Sequence, residues 1–241
     1  MGKVALITGA NKGIGFEVAR QLGRAGFTVL LGARDAARGE AAAGTLRSEG
    51  LDARFVEADL NRGTETGTSL ATAITAEFGH LDVLINNAAI FDAADRHASD
   101  VGTEALRRTF DVNFFGTVAF TQTMLPLLRA ADSARIVNVS SGLGSLTLNN
   151  DPQSPFYDAK VLGYNASKAA LNMFTVTLAY DLRETAIKVN SACPGYTATD
   201  MNHHSGPQTV EEGAIAIVRL AQLPEDGPTA SFIHKDGTYS W

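Results

Sequence analysis

A tyrosine and a lysine stand four positions apart in Tyr164-Asn165-Ala166-Ser167-Lys168. On a helix such a pair shares one face. A free phenol titrates near ~10, too high for proton exchange at neutral pH, and an adjacent ammonium stabilises the phenolate and lowers that value. The chemistry on offer is general acid–base catalysis. Taken alone, the pair reads better as a surface tyrosine beside a solvated lysine. Two features shift that balance. Ser140-Ser141 follow directly on the apolar run 135–139, and Asn86-Asn87-Ala88-Ala89 follow 81–85. Residues at the carboxyl ends of parallel strands face the ligand crevice of such sheets. Asn113 is a polar residue between Val112 and Phe114-Phe115, either functional or simply bonded to helix backbone.

A second group could hold a nucleotide. Thr8-Gly9-Ala10-Asn11-Lys12-Gly13-Ile14-Gly15 comes right after the apolar run 4–7 and opens a helix-like stretch. Glycines there let backbone approach a pyrophosphate, and a helix N-terminus favours its charge. The alternative is a tight strand-to-helix turn with no ligand. At the end of the second apolar run stands Gly32-Ala33-Arg34-Asp35. An acidic residue at the strand end would bond a ribose 2′-hydroxyl, whereas an arginine grips a 2′-phosphate with its planar fork. Arg34, with Lys12 as a second cation, favours NADP(H), and Asp35 is read as a partner for Arg34.

These residues need a scaffold that brings strand ends together. Strands are expected over 4–7, 28–31, 54–56, 81–85, 135–139, 187–192 and 231–233. Helices are expected over 15–23, 36–48, 66–78, 103–130 (bent or interrupted near Pro126), 167–184 and 210–223. The alternation predicts an α/β fold, a doubly wound parallel sheet of about seven strands with helices on both faces. The 241 residues are read as one Rossmann-fold unit, with a loop excursion over about 142–163 and a lid over about 196–210.

Composition narrows the function classes. A net charge of -6 without a basic cluster argues against nucleic acid. No run approaches ~18 apolar residues, so no membrane span is expected. One cysteine, Cys193, excludes an internal disulfide and fits a reducing, cytoplasmic setting. His203-His204 lack further ligands at metal spacing, so no metal is expected. Cys193 is read as an inert buried thiol. Tyr196, after Gly195, is a candidate wall of a substrate pocket.

Thr8-Gly9-x-x-x-Gly13-x-Gly15, Asn86-Asn87-Ala88-Ala89, Asn113, Ser141, Tyr164-x-x-x-Lys168 and Pro194-Gly195, in this order over almost the whole chain, resemble the short-chain dehydrogenases/reductases. Ala33-Arg34-Asp35, Pro194-Gly195-Tyr196, Thr199-Asp200-Met201 and Glu211-Glu212-Gly213-Ala214 are most similar to the NADPH-dependent carbonyl reductases of that family. The resemblance implies reduction of a ketone or aldehyde by hydride from NADPH. Tyr164 would be the general acid and Ser141, preferred over Ser140, would bond the carbonyl oxygen. Lys168 would hold the nicotinamide ribose, and Asn113 would fix a water linking Lys168 to solvent. Gly9, Asn11, Lys12, Gly13, Ile14 and Gly15 would cradle the phosphates, with Lys12 and Arg34 at the basic positions. Asp59 and Leu60 would flank the adenine, and Asn86 and Ala88 the ribose. Pro194, Gly195, Thr197 and Thr199 would seat the nicotinamide amide.

The chain departs from the family's pattern at Thr197, where Val or Ile is usual, and at Ala89, where glycine is usual. The 142–163 excursion is longer than in the common tetrameric members and shorter than in the monomeric carbonyl reductases. It leaves monomer and homo-oligomer both open. An NADP-binding redox sensor without turnover is the alternative, and intact Tyr164 and Lys168 count against it. An epimerase or dehydratase ranks last.

Overall fold

The computed structural model describes residues 2–241. Its strands are β1 (Val4–Thr8), β2 (Thr28–Ala33), β3 (Ala53–Glu57), β4 (Val83–Asn86), β5 (Arg135–Val139), β6 (Lys188–Ala192), β7 (Phe232–His234) and β8 (Gly237–Thr238). They form one sheet in the order β3-β2-β1-β4-β5-β6-β7-β8, parallel except for β7–β8. β1, β4 and β5 are buried at every position, which is why apolar residues dominate them. The expected architecture is present with one strand more than anticipated. β8 is two residues of an antiparallel hairpin and carries no apolar signal of its own.

Helices α1 (Gly13–Arg24), α2 (Ala36–Ser48) and α8 (Val210–Ala221) pack one face of the sheet through Val18, Leu22, Leu46, Ile217 and Leu220. Helices α3 (Gly63–Glu77), α5 (Thr117–Ala130) and α7 (Leu162–Asp181) cover the other through Leu70, Ile74, Phe120, Met124 and Leu178. α4 (Thr103–Phe110) leads into α5, and α6 (Leu146–Asn150) is a single short turn within the 142–163 excursion.

The interruption expected at Pro126 is elsewhere. Helix α5 runs through Pro126 to Ala130, while residues 111–116 between α4 and α5 form a wide π-turn. Single π-turns are frequent at functional sites, and this one carries Asn113.

Candidate active site

Strand order reverses direction between β1 and β4, and there the loops leave opposite ways and open a crevice. A cleft of about 750 Å³ lies at this point. Gly9, Asn11, Lys12, Gly13, Ile14, Gly15, Arg34, Asp59, Leu60, Ala88, Tyr164, Lys168, Pro194 and Thr199 all line it.

The glycine loop owes its shape to partners on β4. Asn87 donates from its amide to the carbonyl oxygens of Thr8 and Gly9, at 2.9 and 3.1 Å. Thr8 Oγ1 accepts the backbone N–H groups of Asn87 and Ala88, both at 3.0 Å. A Cβ on Gly15 would sit 2.4 Å from the Asn87 amide nitrogen, so only glycine lets loop and strand meet this closely. Gly9 and Gly13 take the left-handed φ values of 65 and 59°. α1 begins at Lys12 with no side-chain cap and no acid in its first turn. Its free N–H groups and positive dipole end therefore face the cleft unopposed, which suits a pyrophosphate.

Just after β2, Asp35 does not pair with Arg34. It caps α2 by accepting the Arg38 N–H at 3.0 Å and faces the Arg38 guanidinium at 3.7 Å. Arg34 is exposed on the cleft with no ion pair among the described residues. Lys12 is engaged otherwise: its ammonium binds Asp200 of the lid at 2.5 Å, and Asp200 also meets His204 at 2.9 Å.

At the chemical end, α7 projects Tyr164 and Lys168 from one face toward the end of β5. Burial pushes the Tyr164 phenol above its ordinary pKa, the nearby Cys193 adds to that, and the Ser141 hydroxyl as hydrogen-bonding neighbour pulls the other way. Burial likewise pushes Lys168 down, to about 8. Its ammonium donates to Val139 O at 2.8 Å and lies 5.7 Å from the Tyr164 ring centre. The expected lowering of the phenol by the lysine is not seen, and desolvation dominates. Ser141 sits next to the phenol; Ser140 is buried, its hydroxyl 3.5 Å from Lys168 O.

Several expected residues stand elsewhere. Asn86 is buried and turns its amide to Thr121 and Asn138, so its side chain does not reach the cleft; Asn87 holds the loop instead. The Asn113 amide accepts the Ile90 N–H at 2.8 Å and donates to Ile90 O at 2.9 Å and Ser167 Oγ at 3.1 Å, so both its donors are used and one acceptor site of Oδ1 remains. Gly195 and Thr197 lie behind the cleft wall, with Thr197 Oγ1 donating to Pro194 O at 3.0 Å. Tyr196 is 56% exposed, its hydroxyl on Ser205, and belongs to the lid surface rather than the pocket wall.

Cys193 is buried and its thiol is pushed up by burial, with the Gly142 and Gly195 N–H groups directed at the sulfur. Among the described residues no group of three or more His, Cys, Asp or Glu could hold a metal, and no helix is long and apolar enough to cross a membrane. Sequence reasoning missed Asp95, which binds two N–H groups at the start of α7. It sits in an irregular loop with nothing local to mark it.

This arrangement recurs in known proteins. Residues 3–209 match the short chain dehydrogenase family. Salutaridine reductase of Papaver bracteatum is 34% identical, the match covering 95% of this chain and 93% of the relative. Carbonyl reductase (NADPH) 3 of Rattus norvegicus is 36% identical over 99% of this chain and 98% of its own. The solved structure of salutaridine reductase from Papaver somniferum superposes with a TM-score of 0.83 at 31% identity, over 95% of this chain and 99% of that one. A crevice at the sheet's reversal point, a tyrosine–lysine pair on its wall and relatives that match over nearly the whole chain lead to one conclusion: the chain belongs to the short-chain dehydrogenase family of oxidoreductases, which bind a nicotinamide cofactor.

Proposed function

We propose that the protein is an NADPH-dependent carbonyl reductase that converts a ketone or aldehyde into an alcohol. The observation that carries this reading is Tyr164. Its phenol is held protonated by burial, beside Ser141 and one helical turn from Lys168, on the wall of the cleft that fits the cofactor.

When bound, the reduced nicotinamide supplies a hydride to the carbonyl carbon. Tyr164 gives its proton to the oxygen as that bond is reduced, and Ser141 donates a hydrogen bond to the same oxygen. The phenolate left behind is stabilised by the Lys168 ammonium over the ring edge. A raised phenol pKa keeps the acid loaded at neutral pH, which suits the reductive direction. Arg34, unpaired among the described residues and on the cleft, supports NADP over NAD, since Asp35 is committed to α2 and Arg38. The relative named for NADPH is consistent with this. Small carbonyl compounds are the substrates, and a cytoplasmic setting suits the lone buried thiol.

Tyr164→Phe tests the reading. With NADPH and a panel of quinones, aromatic ketones and aldehydes, kcat should fall by about 10²–10⁴-fold while NADPH binding persists. Near-normal turnover by the variant would remove the proposed acid. Tight NADPH binding by the unaltered protein, with no carbonyl in the panel reduced, would favour a sensor.

A further inference from the structure

We propose that Asp95 is a positioning residue for the reaction: from the loop after β4 it binds the first turn of α7 and thereby sets where the Tyr164 phenol stands. The inference rests on the reading of Tyr164 given above and adds to it a residue outside the cleft.

A helix begins with backbone N–H groups that lack an intrahelical partner. In α7 the residue at the cap position is Val161, whose side chain cannot accept a hydrogen bond. Three of these donors are taken by the distant loop. Leu162 N–H donates to Arg96 O at 3.0 Å, Gly163 N–H to Asp95 Oδ1 at 2.9 Å, and Tyr164 N–H to Asp95 Oδ2 at 2.7 Å. The carboxylate thus divides its two oxygens between two consecutive donors, a charge-assisted arrangement reinforced by the positive end of the helix dipole. Asp95 is 3% exposed. A Cβ on Gly163 would come within 2.9 Å of its oxygen, so the two positions are matched.

The loop is itself fixed. Asp95 N–H donates to Asp92 O at 2.9 Å, and the Asp92 carboxylate is held by Arg108 of α4 at 2.7 Å. The Arg96 guanidinium donates to Ala93 O and Asp95 O, both at 2.7 Å. Phe91 of the same loop packs on the Tyr164 ring, with centres 5.6 Å apart. Tyr164 is therefore gripped by backbone and ring from one segment, 69 residues earlier in the chain at its backbone contact. A misplacement of a reacting group by about 1 Å can cost 10²-fold in rate. A carboxylate that fixes the N–H of the acid's own residue acts on that displacement directly, without touching substrate or cofactor.

The experiment compares the full chain with Asp95→Ala and Asp95→Asn. It reads amide hydrogen exchange at Gly163 and Tyr164, NADPH affinity by fluorescence, and kcat with NADPH and an aromatic ketone or quinone. In Asp95→Ala the two amides should exchange about tenfold faster or more, with the rest of α7 still protected. The kcat should fall about tenfold or more while NADPH affinity stays within about twofold. Asp95→Asn, which keeps one acceptor oxygen, should fall between, and it carries the test if the alanine variant does not fold. Unchanged exchange and kcat would overturn the proposal. So would a loss of kcat that comes with loss of NADPH affinity and of protection along all of α7. Full turnover by Tyr164→Phe would remove Tyr164 as the proposed acid and leave the exchange result standing. An inactive Tyr164→Phe beside an unaffected Asp95→Ala would remove only the positioning role.

Discussion

Arg34 and Lys12 carry the same charge and line the same cleft, yet the fold treats them differently. The Lys12 ammonium is occupied by Asp200, whereas the Arg34 guanidinium faces the cleft without a counter-ion among the described residues. In the proposed NADPH reading, Arg34 is the group that would meet the 2′-phosphate with its fork. Arg34→Ala should cost ~1.5–3 kcal/mol with NADPH and leave NADH nearly untouched. That is roughly a 10–150-fold fall in the ratio of kcat/KM for the two cofactors. An unaltered ratio would refute the assignment. At this scale the sequence was legible wherever a residue type sits at a strand end or one helical turn from its partner: Tyr164, Lys168, Arg34 and the glycines all line the cleft. It was misleading for the Asn86 side chain, because an asparagine motif shows where the chain is polar and not which way an amide turns.

At the scale of elements, the lid is the telling segment. After β6 the chain makes a short 3-10 turn at Asp200–Asn202, and His203 and His204 then take left-handed φ values of 52 and 58°. Non-glycine residues seldom hold such angles, and they cluster at ligand clamps. The Asp200 carboxyl, held below its usual range by the Lys12 hydrogen bond first and by His204 after it, fastens this turn to the glycine loop. In the proposed reading, this turn and the cofactor phosphate would compete for one ammonium. Asp200→Asn should lower the KM for NADPH by about 2–5-fold, the modest effect of an exposed ion pair, with the KM for NADH unchanged. A rise in the NADPH value would contradict the competition. Helix periodicity showed α4 and α5 as one stretch and misplaced its irregularity. Proline is a visible breaker, while a π-turn arises from tertiary ties such as Asn113 to Ile90. Asp95 was illegible for the same reason: its partners are 68 and 69 positions away.

Across the whole molecule, a buried polar chain crosses the α3/α5/α7 side of the sheet near the strand ends. Asn86 donates to Thr121 and to Asn138 Oδ1, Asn138 donates to Thr175 at 2.8 Å, and Thr175 meets Ser191 at 2.8 Å. It joins β4, β5 and β6 to α5 and α7 beneath the site. Asn138 is fully buried, so Asn138→Ala would strand donors and acceptors in a dry interior. It should cost about 1–3 kcal/mol or more of stability, read as a lower denaturant midpoint with unchanged slope. Stability equal to that of the unaltered chain would show the network to be dispensable. The parallel, doubly wound sheet was readable from alternation, since buried parallel strands show as largely apolar runs. The two-residue β8 offers no such run.

The grip of residues 91–96 on α7 has a bearing on how this protein comes into being. A chain emerging from the ribosome completes the nucleotide cradle, β1 through β4, before it has made any of the proton-donating wall. The strap is already synthesised when α7 appears, and the three amides at that helix's start find their acceptors waiting. Nascent chains halted before residue 164 would hold half a crevice and no acid, and the first turn of α7 would assemble only by docking on a surface laid down earlier.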